Sequence, residues 1–535
     1  MARRGHSVRC LRVCAFSVGC CMKEKFRQSM SWLHTWSGLI LGWLMFVIFF
    51  TGTLSYFRQE ITHWMQPETH SSVKFDPAAV DKAVDYLKQN APDEAAGWLI
   101  SLPNERTKTI EASWRVVKID PKYGIRPEIT QNFLDAATGE NTNARKTHGG
   151  EFLYRFHIEL YGIDKTHGRW IIGIATMAMF IAIITGIILH KRIFKDFFTF
   201  RQNKGVRSWM DAHIFTAILA LPYHIMITYS GLLLLMMILL PWNTEEFLRQ
   251  YKEMRAKMMS QPVEVIPADF EAYPPVSLVP LLKDAEERLG EKIGRIYISN
   301  PGQRSMTAQF VPFRSDKITY TDRSRSAEAS VSYSLRNGRF YGEMTAEPVS
   351  AAYSIFNAFS TLHVARFADT FMRWLFFLSG VMGTIMTATG LIIWTQKKAK
   401  AAHKSFGRKL VEVLNIGGIT GLAAATAAYF WANRLIPASL ENRMSLELWA
   451  FFSVWALSFA HPLIRDRKKA WVDQLWLCAG LYALLPVLNA FTSPMNLIKA
   501  FSAGNMIVAG FDLTALATGV LLGLTAVAVS KKEVK

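Results

Sequence analysis

The chain has 535 residues, half of them hydrophobic, and 61 Lys and Arg against 42 Asp and Glu give it a net charge of +19. Charge-free stretches of about twenty residues match the thickness of a bilayer core, so a set of ordinary soluble domains is excluded and a mainly α-helical, polytopic membrane protein is expected. The positive excess falls largely in short basic loops, where membrane topology and contact with the lipid bilayer account for it, and no nucleic-acid partner is expected.

Residues 1–31 read as a cytoplasmic N-terminus. Residues 1–21 differ in character from the following MKEKFRQSM, which leads to the expectation that translation begins at Met22. Cys10, Cys14, Cys20 and Cys21 crowd this segment and Cys478 stands far from them, so neither a disulfide framework nor a thiolate cluster follows. A first span, 32–57, opens at His34, with Gly38 and Gly42 at i+4 and i+8 leaving a smooth groove for a flat cofactor. The plainer reading of that G-x-x-x-G is helix packing.

Residues 58–168 are expected to form an outer α+β domain. Its helix starts at Asp76-Pro77 and lines up Val80, Ala83, Val84 and Leu87, followed by the strand TIEASWRVVKID and a turn at Ala137-Thr-Gly139. A span over 169–190 ends on His190, and a basic loop over 191–209 leads to a third span, 210–240, holding His213 and His224. Residues 241–370 repeat the outer α+β pattern, with a helix in SLVPLLKDAEERLG that Gly290 ends. A fourth span, 371–395, and a basic loop, 396–409, precede a C-terminal block, 410–530, with four spans near 410–432, 446–463, 472–490 and 506–529. Glu447 and His461-Pro462 make the sixth span short. Because Lys and Arg collect in loops that stay inside, both termini are expected in the cytoplasm and the two domains on the outer side.

The first four spans form a tandem repeat, which implies a pseudo-twofold arrangement about the eight-span fold. Gly52 and Gly231 follow His34 and His213 at the same interval of 18 residues, in Thr51-Gly52 and Ser230-Gly231. His157 and His363 precede Arg169-Trp170 and Arg373-Trp374, each 16 residues before another Thr-Gly, Thr185-Gly186 and Thr389-Gly390. The outer domains share I-S-x-P-x-x-R at Ile100–Arg106 and Ile298–Arg304, offset by 198 residues.

Those four histidines carry the chemistry. A neutral imidazole from each of two helices can hold one haem iron from both faces, so His34 with His213 on the cytoplasmic side and His157 with His363 on the outer side make a two-step electron relay. Intramembrane histidines are costly without a partner and default to function. His224, near Pro222, is either a further ligand or a donor to carbonyls that the proline frees. His190 and His167 read as interfacial side chains that could replace an assigned ligand, and His6, His63, His70, His148 and His403 read as solvated. No G-x-G-x-x-G follows a strand, so no flavin or NAD site is evident and the electron donor is external, either quinol or a cytoplasmic redox protein. Trp98 and Trp114 are read either as holding an anionic chelate or as ordinary core.

The stretch from about 30 to 395 resembles bacterial inner-membrane proteins with PepSY-associated transmembrane helices, which include iron-regulated ferric-siderophore reductases. L-H-T-W-S-G-L (33–39), R-F-H-I-E-L-Y-G (155–162), G-R-W-I-I-G (168–173), D-A-H (211–213), L-P-Y-H-I-M-I-T-Y-S-G-L (221–232), T-L-H (361–363), T-G-L-I-I-W (389–394) and the D-x-x-T-G-E turn at Asp135–Glu140 carry the resemblance. It implies two periplasmic PepSY modules, b-type haem, two groups in all, on His34, His213, His157 and His363, and reduction of Fe(III) held by a periplasmic siderophore so that iron leaves as Fe(II). The sequence departs from that pattern after His363, where A-R-F-A-D-T-F-M replaces a glycine-rich turn, and in the extra block after 410. Two other classes remain at this point: a haem-free PepSY protein that binds or senses peptides or regulates proteases, and a secondary transporter, against which the lack of acidic midplane residues counts.

Overall fold

The computed structural model describes residues 25–70, 74–120, 124–190, 201, 204–239, 275–303, 305–313, 329–344, 351–398 and 406–531. The expected start at Met22, the four N-terminal cysteines, His6, His403, Arg304 and most of the 191–209 loop lie outside them. The protein is a mainly helical, polytopic membrane protein with one antiparallel sheet. Among the described residues six helices are long and apolar enough to cross a bilayer, or eight if each of two bent helix pairs is one span.

The chain divides into two compact units. The first comprises residues 1–53, 155–239 and 374–419. Its helices are α1 (Lys25–Ile40), α2 (Gly42–Ser55), which runs two residues past the unit's edge, the last turn of α5 (Gly149–Glu159), α6 (Lys165–Leu189), α7 (Val206–Leu219), α8 (Leu221–Leu239), most of α11 (Thr370–Lys398) and α12 (Phe406–Asn415). Two of its expected straight spans are bent, α1 against α2 by 65° and α7 against α8 by 70°. The second bend has a local cause, since Pro222 has no N–H to give the preceding turn and its ring crowds that turn's carbonyl. The first bend falls at Leu41, between Gly38 and Gly42, so these glycines do not share one straight helix face as expected.

An apolar core of Met45, Ile48, Phe49, Ile172, Ala175, Met179, Ile183 and Met386 holds these helices together. Gly42 lies under Leu391, whose Cδ2 would be 2.7 Å from an added Cβ, so this glycine serves close helix packing. Beside it Trp43 donates from Nε1 to Oδ1 of the buried Asn415, at 2.9 Å.

The second unit comprises residues 54–154, 240–373 and 420–535. Its α+β part consists of α4 (Ala79–Asn90), β1 (Ala95–Ser101), β2 (Thr109–Asp120), β3 (Gly124–Asp135), α9 (Leu278–Leu289), β4 (Ile293–Ser299), β5 (Thr307–Pro312), β6 (Ser330–Ser334) and β7 (Phe340–Met344). The strands of the two segments expected to form α+β domains join one seven-stranded sheet in the order β3-β2-β1-β4-β5-β6-β7. β1 and β4 pair antiparallel, with Leu99 opposite Tyr297 and Ile100 opposite Ile296. Leu99 therefore faces the residue 198 positions further on, the register a local twofold axis would give two copies of one motif.

One core serves both halves, since Val80, Leu87, Ile100 and Ile110 from the first half cluster with Leu282, Ile296, Phe310 and Tyr333 from the second. Trp98 belongs to this core, buried beside Trp114 across the strands. Local signals read from sequence reappear here. Gly290 ends α9 at φ +64°, and Asp135 Oδ1 accepts from the N–H groups of Ala137 and Thr138 while Gly139 turns at φ +71°. The first helix begins at Ala79, with the Asp76 carboxylate accepting from Ala78 N–H just before it.

The rest of this unit is helical: α3 (Arg58–Met65), the first turns of α5, α10 (Ala351–Val364), α13 (Gly421–Leu435), α14 (Arg443–Ile464), α15 (Arg467–Ala483), α16 (Leu485–Thr492), α17 (Leu497–Ser502) and α18 (Met506–Lys531). α14 continues through Pro462 to Ile464, so the sixth span is of full length.

Candidate functional site: a histidine-lined cavity

In the first unit α1, α2, α6, α7, α8 and α11 surround a cavity of about 760 Å³. That volume suits a small organic cofactor. His34, His213, His224 and His190 all line it, as do Gly38 and Gly42. A Cβ added at Gly38 would meet nothing within 4 Å, so this glycine, unlike Gly42, faces open space.

His34 and His213 reach the cavity from the first arms of the two bent pairs, and their ring centres stand 6.3 Å apart at 79°. One metal ion taking a nitrogen from each ring, at bonds of about 2 Å, requires ring centres roughly 6 Å apart. The tautomers are also set. His34 Nδ1 lies 3.0 Å from the Ala182 carbonyl and 3.2 Å from Thr185 Oγ1, and His213 Nδ1 lies 2.8 Å from the Met386 carbonyl and 3.3 Å from Thr389 Oγ1. A carbonyl only accepts, so Nδ1 carries the proton and each Nε2 keeps its lone pair, the form in which imidazole ligates a metal. On ring separation, tautomer and cavity, this pair fits a haem iron.

His224 is fully buried in the same cavity wall. Its Nδ1 is 3.3 Å from the Ala217 carbonyl, in the last turn before the bend. Its Nε2 makes no hydrogen bond of ordinary geometry, with the Ser379 backbone near the ring. The bend at Ala220 brings it to the cavity, in place of the straight three-turn offset from His213 that the sequence suggests. His190 forms the C-cap of α6 and lines the cavity near Arg27 and Gln28.

His157 repeats the arrangement. Its Nδ1 donates to the Ile48 carbonyl at 2.8 Å, and burial lowers its pKa, keeping the ring neutral. His363 lies in the other unit, in the last turn of α10, where its backbone carbonyl accepts from the Tyr56 hydroxyl at 3.4 Å. The altered sequence after it is accommodated by Ala365 at φ +49°. The turn after His157 is fixed by an ion pair of Arg169 with Glu159 and by Gly168, where any Cβ would overlap the Glu159 carbonyl.

The profile of the PepSY-associated TM region matches residues 31–397, which contain every histidine of this cavity. The chain belongs to that family. An uncharacterized protein of Pseudomonas aeruginosa is 24% identical over 378 residues, which cover 66% of this chain and 89% of that protein. The family match ends at residue 397, so α12 to α18 are additional to it.

Not all positions were read correctly from sequence. His63 and His70, expected in solvent, are buried in the second unit with ring centres 4.8 Å apart. His70 Nε2 meets the His63 carbonyl at 2.8 Å and His63 Nδ1 meets Thr69 Oγ1 at 3.2 Å. Nothing in their local sequence signals this, because their cover includes Ser493, 423 residues away.

Proposed function

We propose that this protein is a haem-bearing reductase of the bacterial inner membrane, passing electrons from quinol or a cytoplasmic redox protein to a ferric siderophore in the periplasm and releasing iron as Fe(II). The observation that carries this reading is the His34–His213 pair, with both Nδ1 protons committed to backbone carbonyls and the rings at a separation that suits one iron. Haem in such a site supplies a one-electron carrier inside the low-dielectric core. The chain's own residues supply two neutral nitrogen donors, the open wall at Gly38 and a mainly apolar lining. His157, half-buried and held in the same tautomer, supports a second haem, and the paired spacing of the four histidines supports a duplicated four-span core. The basic loops support cytoplasmic termini, with the seven-stranded sheet on the periplasmic side.

The test is a visible spectrum of the detergent-purified protein, oxidised and dithionite-reduced, with haem quantified against protein. Sharp b-type bands near two haems per chain, falling by one in His34→Ala or His213→Ala, are expected. A colourless preparation from haem-sufficient cells rejects the reductase reading and favours a haem-free PepSY protein. Reoxidation of the reduced protein by a ferric siderophore, with Fe(II) trapped by a ferrous chelator, tests the acceptor.

A further inference from the structure

His34, His213 and His157, all in the first unit, share a setting. Each Nδ1 meets the carbonyl of a residue four places before a glycine: Ala182 before Gly186 for His34, Met386 before Gly390 for His213, and Ile48 before Gly52 for His157. The glycine faces the ring. A Cβ would stand 3.4 Å from His34 Cε1 at Gly186, 3.3 Å from His213 Cε1 at Gly390 and 2.7 Å from His157 Cε1 at Gly52. Immediately before each glycine is a buried threonine, Thr185, Thr389 or Thr51.

Threonine hydroxyls commonly bond back to their own helix, so that feature alone means little. What separates Thr185 and Thr389 is the direction of their remaining lone pairs. Thr185 donates to the Ile181 and Ala182 carbonyls at 2.8 and 3.1 Å, and Thr389 donates to Ile385 and Met386 at 2.8 and 2.9 Å. With the hydroxyl proton spent there, Oγ1 offers only lone pairs to the histidine Nδ1–H, at 3.2 and 3.3 Å. Each ring proton is thus shared by a carbonyl and a hydroxyl oxygen.

We propose that Thr185 and Thr389 are positioning residues which, as second acceptors of the His34 and His213 Nδ1 protons, fix ring orientation and raise the electron donation of Nε2, with Gly186 and Gly390 clearing the space each ring needs. This rests on the haem reading of the site. Stronger acceptance at Nδ1 gives the imidazole more anionic character and stabilises the oxidised iron, which lowers the reduction potential. Losing the hydroxyl therefore moves the potential in the positive direction.

The experiment compares wild type with Thr185→Val, Thr389→Val and the matching Ser variants, reading haem content, low-spin spectral signature and redox-titrated midpoint potential. Valine keeps the volume and removes the acceptor; serine keeps the hydroxyl. Each Val variant is expected to fold, to bind haem roughly tenfold more weakly and to titrate at a more positive potential, with the Ser variants close to wild type. Unchanged potentials, or shifts in the negative direction, overturn the assignment of the hydroxyls as acceptors. If a Val variant fails to fold, the matching Ala variant removes the same acceptor with less bulk, and an unchanged midpoint potential there overturns the proposal. Wild-type haem is measured first, since a haem-free wild type sinks the reductase reading, whereas haem-loaded wild type with indifferent variants sinks only the threonine assignment.

Discussion

Glycines that look alike in sequence have different work in the structure. At Gly52 an alanine methyl would lie 2.7 Å from His157 Cε1 and 2.8 Å from its Nδ1, so the ring must move off the Ile48 carbonyl. At Gly38 nothing lies within 4 Å. Gly52→Ala should therefore cost about 1–3 kcal/mol by overpacking and weaken binding of the haem proposed at His157, while Gly38→Ala, unobstructed in a helix, should be neutral or stabilising by up to about 1 kcal/mol. Thermal unfolding in detergent with haem quantification separates them; equal effects at both sites would reject this ranking. The buried pair His63 and His70 gives a pH dependence. Burial is the main cause lowering both pKa values, His70 to about 4 and His63 well below the ordinary 6.5. The folded state keeps these rings neutral while the unfolded chain protonates them, so stability is complete above pH 6.5 and is lost as pH falls from 6.5 towards 4. For His70 the loss is of the order of 3 kcal/mol. A melting temperature that falls over this window in wild type, and falls less in His63→Leu/His70→Leu, is the expected outcome; identical pH profiles would place the effect elsewhere.

At the scale of elements, the seven-stranded sheet behaves as one body because β1 and β4 share a ladder and both halves share a core. Ile296 is fully buried opposite Ile100. Ile296→Ala should cost about 2–5 kcal/mol and should expose amides of β1 and β2 to hydrogen exchange together with those of β4 and β5. Loss of protection confined to residues 275–344 would mean two independent domains. The contrast between what was legible and what was not follows from the range of the interactions. Helix faces such as Val80 to Leu87, the stop at Gly290 and the Asp135–Glu140 turn depend on neighbours a few residues away, and all were readable. The 198-residue offset was readable as repetition, but not that the two copies would pair edge to edge, because nothing in a single strand's alternation names its partner. The four histidines and the Thr-Gly steps were visible as spacing, whereas the service of Gly186 to His34, rather than Gly52, depends on which helices pack together. The bends at Leu41 and Ala220 were hidden because each span is apolar throughout and only Pro222 marked a break.

At the scale of the whole molecule, α13 to α18, which lie beyond the family match, are built into the second unit by buried polar contacts. Arg443 and Glu447 form an ion pair at 3.0 Å with side chains 1% and 0% exposed. Glu447 also accepts from Thr147 at 2.6 Å and Asn433 at 2.8 Å, and Arg443 donates to the Lys146 carbonyl at 2.7 Å. A second set joins Trp64 to Asp512 at 2.9 Å, Asp512 to Asn489 at 2.8 Å and Asn489 to Arg434 at 2.9 Å, with the Arg434 guanidinium 4.0 Å above the Trp64 ring. These bonds tie segments 64–70 and 145–149 to the C-terminal helices, so the extension is an integral part of its unit. A buried pair is costly to break and cheap to replace, because removing one partner strands the other's charge away from water. Glu447→Leu or Arg443→Met alone should therefore destabilise by about 3–5 kcal/mol, while Arg443→Met/Glu447→Leu together should lie much nearer wild type. A double-mutant cycle on thermal stability measures this, with hydrogen exchange of residues 145–149 reporting where the damage falls. A double mutant whose loss equals the two single losses added together would mean that the charges are not coupled, and that the extension is held by its apolar contacts alone.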